Sequence, residues 1–564
     1  MPQSALPLAI AVLASTLGGL GAACGQPLEP TAAGRLTPSE LIQDIRELSD
    51  LIESAHPDPY INGGGKVAYH RRLQDLIRSI PETGLTKQEF HAYLEPFVAR
   101  LGDGHTQLQL DESGRDYGSP GGIPLYFEVV EQQLYVGAVT TSEHLSLIGS
   151  ILESVEGVSF ETLLERESQQ RGHDNDHHAL SGLARQGALY FRESLRRLVP
   201  EWDGREQINV GLRHVSGERR EITLHPAKHV EYPLLRKKSE LKLPDADRSF
   251  AYHFLDDRRE LAYLRIDNMT AFRELFEYSR SVSASGWENW ARRVYQRTNL
   301  DDAPDALEDV IAGIPSATET FRSLFRDMSA ARTRVLIVDL QRNFGGNSLM
   351  VQIFLYHLVG FDKTVSLLEQ TAAIQRLSPF FNGRTESGLD LEAISSASGV
   401  PLRIGDYDFS QDSRFMTEKD LESSLRDSYL RMFAQMPTFF SVFESRQDEA
   451  LYAPETIVVL CGNQTQSSGF DLLTDLYRLG AVIVGVPSSQ AGNSFGNVQR
   501  FELTHSRLAG YLSTKYFVAY PEQPPVGFTL EPHYLLTYAK LAELAFDPNA
   551  TLLYALDVLP AVQN

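Results

Sequence analysis

The stretch that decides the fold is TIVVLCGNQTQSSGFD, residues 456–471, followed by LLTDLYRL at 472–479. The apolar run at its start predicts a buried strand, and the apolar spacing after Ser468 predicts a helix. The order strand, polar turn, serine and helix exposes a hydroxyl at Ser467 and directs the helix dipole towards it. Serines also commonly cap helices, so this segment taken alone favours a cap over a nucleophile.

A second strand and turn of this kind is VLIVDLQRNFGG, residues 335–346. An apolar strand runs into a polar turn with Gly345 and Gly346, and a helix is predicted to begin at Asn347 and Ser348. Glycines at such a turn let backbone N–H groups point at an anion with no side chain in the way. The alternative is an ordinary strand-to-helix turn. Such a turn does not require the specific spacing Asp-x-x-x-Asn-x-Gly-Gly, so the spacing favours a functional role over that alternative.

A third segment, LGDGHT at 101–106, places His105 after a Gly-Asp-Gly turn between a predicted helix and a β-like run. On an exposed loop of this kind a histidine can reach substrate and act as a general base. The alternative is a histidine that only structures its own turn, which is the commoner role of a loop histidine.

The strands around these segments indicate an α/β core at 231–564. Fully apolar runs are typical of a parallel sheet that helices cover on both faces, and four such runs occur at 261–266, 334–340, 456–461 and 481–485. A polar, helix-leaning stretch at about 363–450 interrupts the series and is predicted to be a surface insertion.

Two further domains are predicted before this core. Helical spacing at 41–52, 67–80 and 86–101 indicates an N-terminal helical domain at 38–115. Residues 116–230 are β-rich, and a strand, a Glu-Gly turn and a helix there are similar to the PDZ module, which binds a chain end as an added strand. An insertion near 168–200 interrupts that similarity.

Composition excludes some partners. The chain has 564 residues, which predicts two or three domains. It carries 52 basic and 74 acidic side chains, a formal net charge of −22. Nucleic acids and anionic membrane surfaces require a basic face, so neither is an expected partner.

The N-terminus predicts export from the cytoplasm. Residues 5–23 form an apolar run that ends in small residues before Cys24, so residues 1–24 are interpreted as a secretory leader and 25–37 as a linker. The sequence before Cys24 also resembles a lipoprotein cleavage box, although Gly21 stands where a bulky aliphatic residue is usual. A secreted or periplasmic protein and a lipoprotein anchored through Cys24 both remain open. Cys461, the other cysteine, is interpreted as a buried small hydrophobe.

Taken together, the three segments resemble the C-terminal-processing (tail-specific) protease superfamily, peptidase family S41, with its tricorn-like and interphotoreceptor-retinoid-binding branches. The Asp-Gly-His-Thr loop, the Asp-Leu-x-x-Asn-x-Gly-Gly turn and the Thr-x-Ser-Ser-Gly turn occur in the family's order, within a resemblance over roughly 40–560. It implies a multidomain α/β protein with an N-terminal helical bundle, a PDZ-like domain and a crotonase-like core. The implied activity is a serine peptidase that cuts peptides or unfolded protein tails, with no cofactor and no metal.

The resemblance also implies roles for residues. Ser467 would be the nucleophile and the Ser468 N–H one oxyanion-hole donor, and Gly345 or Gly346 would supply the second donor. Such donors act where charge develops in the tetrahedral intermediate, and the loss of one costs ~3 kcal/mol in other enzymes.

The base is implied less directly. Many relatives have a lysine in a Gly-Lys-Gly turn about 25 residues after the serine, but residues 487–496 contain no lysine. The tricorn-like arrangement, with His105 as base and a late carboxylate to orient it, fits better. Glu531 is the expected carboxylate, Glu522 is the reserve, and Asp103 could serve only if its turn folds back.

One departure supports an alternative function. Relatives usually carry an acidic residue three positions after the serine, where this chain has Phe470. With the missing lysine, this departure favours a catalytically inactive protein that holds a peptide or an apolar ligand on the same scaffold. The enzyme hypothesis requires that Ser467 and His105 meet although they are 362 positions apart.

Two other patterns are set aside. The segment GNSFG at 492–496 matches Gly-x-Ser-x-Gly, but that motif needs a helix after it and residues 497–503 predict a strand. The segment HDNDHH at 173–178 has the residue types of a metal site without a further ligand motif. It is interpreted as a solvated loop, with adventitious metal binding as the alternative, and residues 56–60 are interpreted as a rigid turn.

Overall fold

The computed structural model describes residues 34–110, 121–184, 188–226, 234–239, 241, 243, 249–284, 286–299, 301–381 and 391–562. The predicted leader, Cys24 and most of the predicted linker lie outside the described residues. Within these ranges no helix combines the length and the apolar character that crossing a membrane requires.

Three helices open the described chain near the predicted positions: α1 Pro38–Ala55, α2 Gly65–Arg78 and α3 Lys87–Ala99. Threonine capping boxes begin α1 and α3. The helices do not have a core of their own, because Leu41 and Phe90 pack in one cluster with Phe501 and Leu512 from late in the chain. The N-terminal helices are therefore fixed to the C-terminal part of the protein.

Residues 107–224 form a short strand and then a β-rich region. Its elements are β1 Gln107–Gln109, β2 Leu125–Val130, β3 Gln133–Val139, β4 Ile151–Val155, β5 Val158–Ser159, β6 Ile208–Arg213, β7 Arg219–Leu224, the 3-10 helix Ser142–Leu147, α4 Phe160–Gln170, α5 Asp176–Ala184 and α6 Arg192–Leu198. Strands β2-β3-β4-β6-β7 form an antiparallel sheet in that order, with β5 beside β4. The predicted insertion near 168–200 contains α5 and α6, whose Leu180 and Leu195 are buried in the core of this sheet. The PDZ resemblance stays a prediction.

The remaining elements form the largest part of the protein. The strands are β8 Phe250–Phe254, β9 Leu261–Ile266, β10 Val335–Asp339, β11 Ala372–Arg376, β12 Tyr407–Asp408, β13 Thr456–Cys461, β14 Val482–Gly485, β15 Asn493–Glu502, β16 Ala509–Val518 and β17 Tyr534–Leu535. The helices are α7 Arg273–Ser281, α8 Trp287–Asn299, α9 Leu307–Ala312, α10 Ala317–Ala331, α11 Leu349–Val359, α12 Phe361–Leu368, α13 Leu391–Ser398, α14 Glu418–Phe433, α15 Pro437–Glu444, α16 Ser468–Arg478, α17 Tyr538–Glu543, α18 Ala550–Val562 and the 3-10 helix Pro379–Phe381.

The central sheet has the order β17-β14-β13-β10-β9-β8, and every pairing is parallel except that of β8 with β9. Alternate residues of β10 enter two different cores. Leu336 and Val338 pack in the cluster that holds α10 and α11, and Val335 and Ile337 pack against the α18 side. The predicted parallel sheet with helices on both faces is therefore found. Because β10, β13 and β14 are parallel, the turns after all three lie at one edge of the sheet.

A third sheet joins distant parts of the chain. It has the order β1-β16-β11-β12, with β15 also beside β16. Strand β1 follows the Gly-Asp-Gly-His turn directly, so its pairing with β16 brings that turn to the C-terminal part. Strand β11 belongs to the predicted insertion at 363–450, and Phe433 and Phe439 of the same segment are buried in the largest core. This segment therefore contributes to the core and does not lie wholly on the surface, while its assignment as an insertion stays a prediction.

Candidate active site

Ser467 stands between β13 and α16 with an unusual backbone. Its φ is 50° and its ψ is −128°, a conformation that a non-glycine residue rarely adopts. Its side chain makes no capping hydrogen bond to α16, so the alternative that this serine caps the helix was wrong. Ser467 is half-buried, and no hydrogen bond of its hydroxyl is found among the described residues.

The loop after β14 holds this turn in place. The Ser467 N–H donates to Oε1 of Gln490, and Nε2 of Gln466 donates to Oγ of Ser489. Ser489 Oγ in turn donates to the carbonyl of Asn463 at 2.6 Å. Gln490 lies 23 positions after Ser467, in the region where relatives carry their lysine. Here that region supports the backbone of the serine turn.

Of the two glycines of the second motif, Gly345 lies against the serine turn and Gly346 lies against Met269 and Thr270. Gly345 has φ +91°, and a Cβ on it would overlap Ser467 Cβ and lie 2.9 Å from Ser468 N. The Gly345 N–H is already used, because it donates to Oδ1 of Asn343 at 2.7 Å. No hydrogen bond of the N–H groups of Gly346 and Ser468 is found in the described part of the chain. Of the predicted donors, Ser468 and Gly346 therefore have N–H groups that no described residue is found to use.

His105 lies in a turn built around a buried carboxylate. Asp103 is fully buried and accepts hydrogen bonds from the His105 N–H at 2.8 Å, from the Thr106 hydroxyl and from Nε2 of His56 at 3.3 Å. The turn folds back, so that Nδ1 of His105 is 3.9 Å from Oδ1 of Asp103. The Ser513 N–H donates to Thr106 at 3.0 Å and ties the turn to β16.

The segment 173–178 joins the histidine turn to the serine turn. Oδ1 of Asp174 accepts the Gly104 N–H at 2.8 Å. Nδ2 of Asn175 donates to the Ser488 carbonyl at 3.2 Å, beside the residues that hold the serine turn. Asn463, within that turn, donates to the carbonyl of His177 at 2.9 Å. Asp174, Asn175, His177 and His178 are all buried, so the interpretation as a solvated loop was wrong.

Electrostatics connect His105 to both sides of the site. Burial opposes the charge of Asp103, but the hydrogen bond and charge of His56 and the charge of His105 outweigh it and lower the pKa of this carboxyl. Burial raises the pKa of Asp174 to about 6, and the charge of His105 opposes this shift; the same charge acts on Asp471, which is exposed. Asp471 is in the first turn of α16, so the imidazole lies within electrostatic range of the helix that begins after Ser467.

No protein-family model matches the sequence, and no curated protein matches it. Solved structures match in fold. Mature CPAF complexed with lactacystin has a TM-score of 0.53 and 15% identity, and the match covers 92% of this chain and 98% of that chain. Mature CPAF has the same TM-score and identity, with 92% and 97% covered. The chain has the fold of mature CPAF.

A third similar structure, the photosystem II D1 C-terminal processing protease, has a TM-score of 0.38 and 11% identity, with 89% and 94% of the two chains covered. The likeness to mature CPAF confirms the predicted mixed α/β fold with several sheets.

In this CPAF-like fold no hydrogen bond or ion pair between the predicted third residue, Glu531, and His105 is found among the described residues. Glu531 is exposed, and its charge acts on the buried thiol of Cys461. Glu522 is exposed as well. Asp103 and Asp174 each place a carboxylate oxygen within 4.8 Å of an imidazole nitrogen of His105, and the role of Glu531 stays a prediction. Asp103 was the last of the sequence candidates, and Asp174 was missed because its segment has no motif that links it to His105.

The departure at Phe470 has a structural reason. Phe470 is buried in the largest core, where an acidic side chain would not fit, and the neighbouring Asp471 points to the motif turns instead. Oδ2 of Asp471 accepts the Ser348 hydroxyl at 2.8 Å, and Ser348 is hydrogen-bonded to the Ser468 hydroxyl at 2.9 Å. Asp471, one position after Phe470, therefore connects α16 to the glycine turn.

The structure also bears on two weaker candidates, Ser494 and Cys461. Ser494 lies within β15, and no helix follows it, so it does not form a nucleophile turn. Cys461 is buried and unpaired, and burial raises the pKa of its thiol to about 12. The prediction of an inert buried cysteine is confirmed.

Proposed function

We propose that the chain is an extracytoplasmic serine peptidase that cleaves peptides or unfolded protein segments by acyl transfer through Ser467. The observation that carries this proposal is the positive φ of Ser467, which holds its hydroxyl at the front of α16 without a capping role. Strain of this kind costs about 1–3 kcal/mol and persists where the surrounding structure imposes it. A serine that merely capped a helix would adopt an ordinary extended conformation.

In the proposed reaction His105 accepts the Ser467 proton as the oxygen attacks the peptide carbonyl, and it then protonates the leaving amine. Asp103 and Asp174 stabilise the imidazolium that forms between these steps, which the 3.9 Å distance from Asp103 Oδ1 to Nδ1 and the grouping of Asp174 with both residues support. The N–H groups of Ser468 and Gly346 stabilise the oxyanion. Water then hydrolyses the ester by the same proton transfers in reverse.

The extracytoplasmic location is part of the proposal and rests on the apolar run 5–23 before Cys24. A soluble exported enzyme and one anchored by lipid on Cys24 both fit this run. The substrate class follows from the family resemblance. The antiparallel sheet β2-β3-β4-β6-β7 is the region that we propose presents the substrate's end, because an open sheet edge can pair with an extended chain.

The test is labelling with a fluorophosphonate probe followed by peptide mapping. We expect one labelled peptide that contains Ser467, and loss of the label in Ser467→Ala. Ser494→Ala is the matched control, because Ser494 occupies the other Gly-x-Ser-x-Gly pattern and should leave labelling unchanged. Preincubation with lactacystin, which CPAF binds in its solved complex, provides a competition arm. If folded protein takes up no label, the alternative of a catalytically inactive binding protein is correct.

A further inference from the structure

A group of side chains with the character of metal ligands lies behind His105. One ligand atom each from Asp103, His105 and Asp174 lies within 4.8 Å of the other two. Two carboxylates and one imidazole are a usual ligand set for divalent transition metals such as Zn²⁺. The paired negative charges would also offset the charge of the ion.

Two of these groups present ligand atoms that lack protein partners. Asp174 is 8% exposed, and its Oδ2 is buried without a hydrogen bond. Nδ1 of His105 is buried without a hydrogen bond too. A buried carboxylate oxygen without a partner is costly, so its presence beside an equally unpartnered imidazole nitrogen points to a bound group.

The surroundings orient these atoms as the outer shell of a metal site does. The Gly104 N–H holds Oδ1 of Asp174, which leaves Oδ2 for a ligand. His56 and Thr106 hold Oδ2 of Asp103, which leaves Oδ1 on the side of His105. Hydrogen bonds to the second atom of each ligating group are typical of metal centres. The side chain of His105 is 29% exposed, so an ion could enter from that side.

We infer that Asp103, His105 and Asp174 bind one divalent transition-metal ion, and that the ion switches off the reaction at Ser467. The switch rests on the proposed role of His105 as base. An imidazole that ligates a metal through Nδ1 carries its proton on Nε2. That nitrogen then donates a hydrogen bond and has no lone pair to accept the Ser467 proton. The metal and the catalytic proton transfer therefore exclude each other.

The binding test uses the full chain after treatment with a chelator. Titration with Co²⁺, followed by its visible absorption, and titration calorimetry with Zn²⁺ should each show one saturable site. Asp174→Asn should weaken binding at least about 10-fold, because the amide can still accept the Gly104 N–H but is a poor metal ligand. Asp176→Asn is the control, because Asp176 is exposed on the same segment and should leave binding unchanged. His105→Gln is a second ligand variant, and thermal unfolding verifies that each protein is folded.

The inhibition test adds Zn²⁺ before the fluorophosphonate probe. We expect labelling of Ser467 to fall as the site fills and to return with chelator, and Asp174→Asn to need at least about 10-fold more Zn²⁺. Absence of a saturable site, or equal binding by folded Asp174→Asn and His105→Gln, would overturn the metal site. Binding without loss of labelling would overturn the switch. A metal-free protein that never labels would contradict the proposed enzyme, while the Co²⁺ titration still decides the site.

Discussion

The serine turn and the histidine turn are built in opposite ways. The serine turn is mainly local, because β13, Ser467, α16 and the supporting Gln490 all lie within 456–490, and Gly345 and Asn175 reach it from two other segments. The histidine turn is assembled from distant parts of the chain. His56 and Asp174 contact Asp103 or its neighbour Gly104, and Ser513 holds Thr106.

The two turns are therefore stabilised by different interactions in the proposed site. The serine turn stores strain in one residue, and a strand, a helix and a loop around it impose the conformation. The histidine turn instead depends on buried charges, since His56, His105 and Thr106 lower the pKa of Asp103 against the effect of its burial. A local turn should tolerate changes elsewhere in the protein, whereas an assembled turn should respond to changes at each of its contributors.

The largest expected effect is at the assembled turn. His105→Ala should lower turnover of a peptide substrate by about 10²–10⁴-fold, because it removes the proposed general base. Steady-state kinetics measure this effect, and His214→Ala, in the turn after β6, is the control. If turnover is unchanged, His105 is not the base. Lys515, buried on β16 with a pKa that burial lowers to about 8, would then be the next candidate.

The local turn is tested by Gly345→Ala. The new Cβ would overlap Ser467 Cβ, so Ser467 or the Ser468 N–H must move, and turnover should fall at least ~10-fold. Gly217→Ala is the matched control, because Gly217 has φ +87° but open space around it. It should cost about 1 kcal/mol of unfolding free energy in urea and leave turnover unchanged. Normal turnover in Gly345→Ala would show that the glycine does not constrain the nucleophile.

The local half of the site could be predicted from sequence because strand, turn, serine and helix follow one another directly. The apolar runs gave β9, β10, β13 and β14 nearly to the residue, since a strand buried on both faces has no polar positions. The conformation of Ser467 could not be predicted, because the Gln490 contact that helps to hold it depends on the path of a loop.

The assembled half could not be predicted from any single stretch. Asp174 has no sequence relation to His105, and only the packing of α5 against the β-rich sheet brings its segment to the Gly104 turn. Glu531 was expected from the family's order of residues, yet the chain places that position at the surface near Cys461. Order along the chain therefore predicted the serine turn and the histidine turn, but not that Asp174 lies beside His105.

The smallest expected effect concerns the segment that joins the two turns. Oδ1 of Asn175 accepts the His178 N–H at 3.0 Å, as a helix cap does, and its Nδ2 reaches Ser488. Asn175→Ser should keep the cap but lose the bond to Ser488, at a cost of about 1 kcal/mol, which is about fivefold in turnover if the bond aligns the two turns.

Asn175→Ala removes both hydrogen bonds. The difference between the unfolding free energies of Asn175→Ala and Asn175→Ser therefore gives the contribution of the helix cap, which we expect to be ~1 kcal/mol. Asn209→Ser, whose side chain contacts only the neighbouring strand through Thr223, is the control for the shorter side chain. Suppose that Asn175→Ser keeps full turnover while Asn175→Ala loses only stability. The segment would then serve its own helix, and the serine turn and the histidine turn would be positioned independently, each by its own sheet.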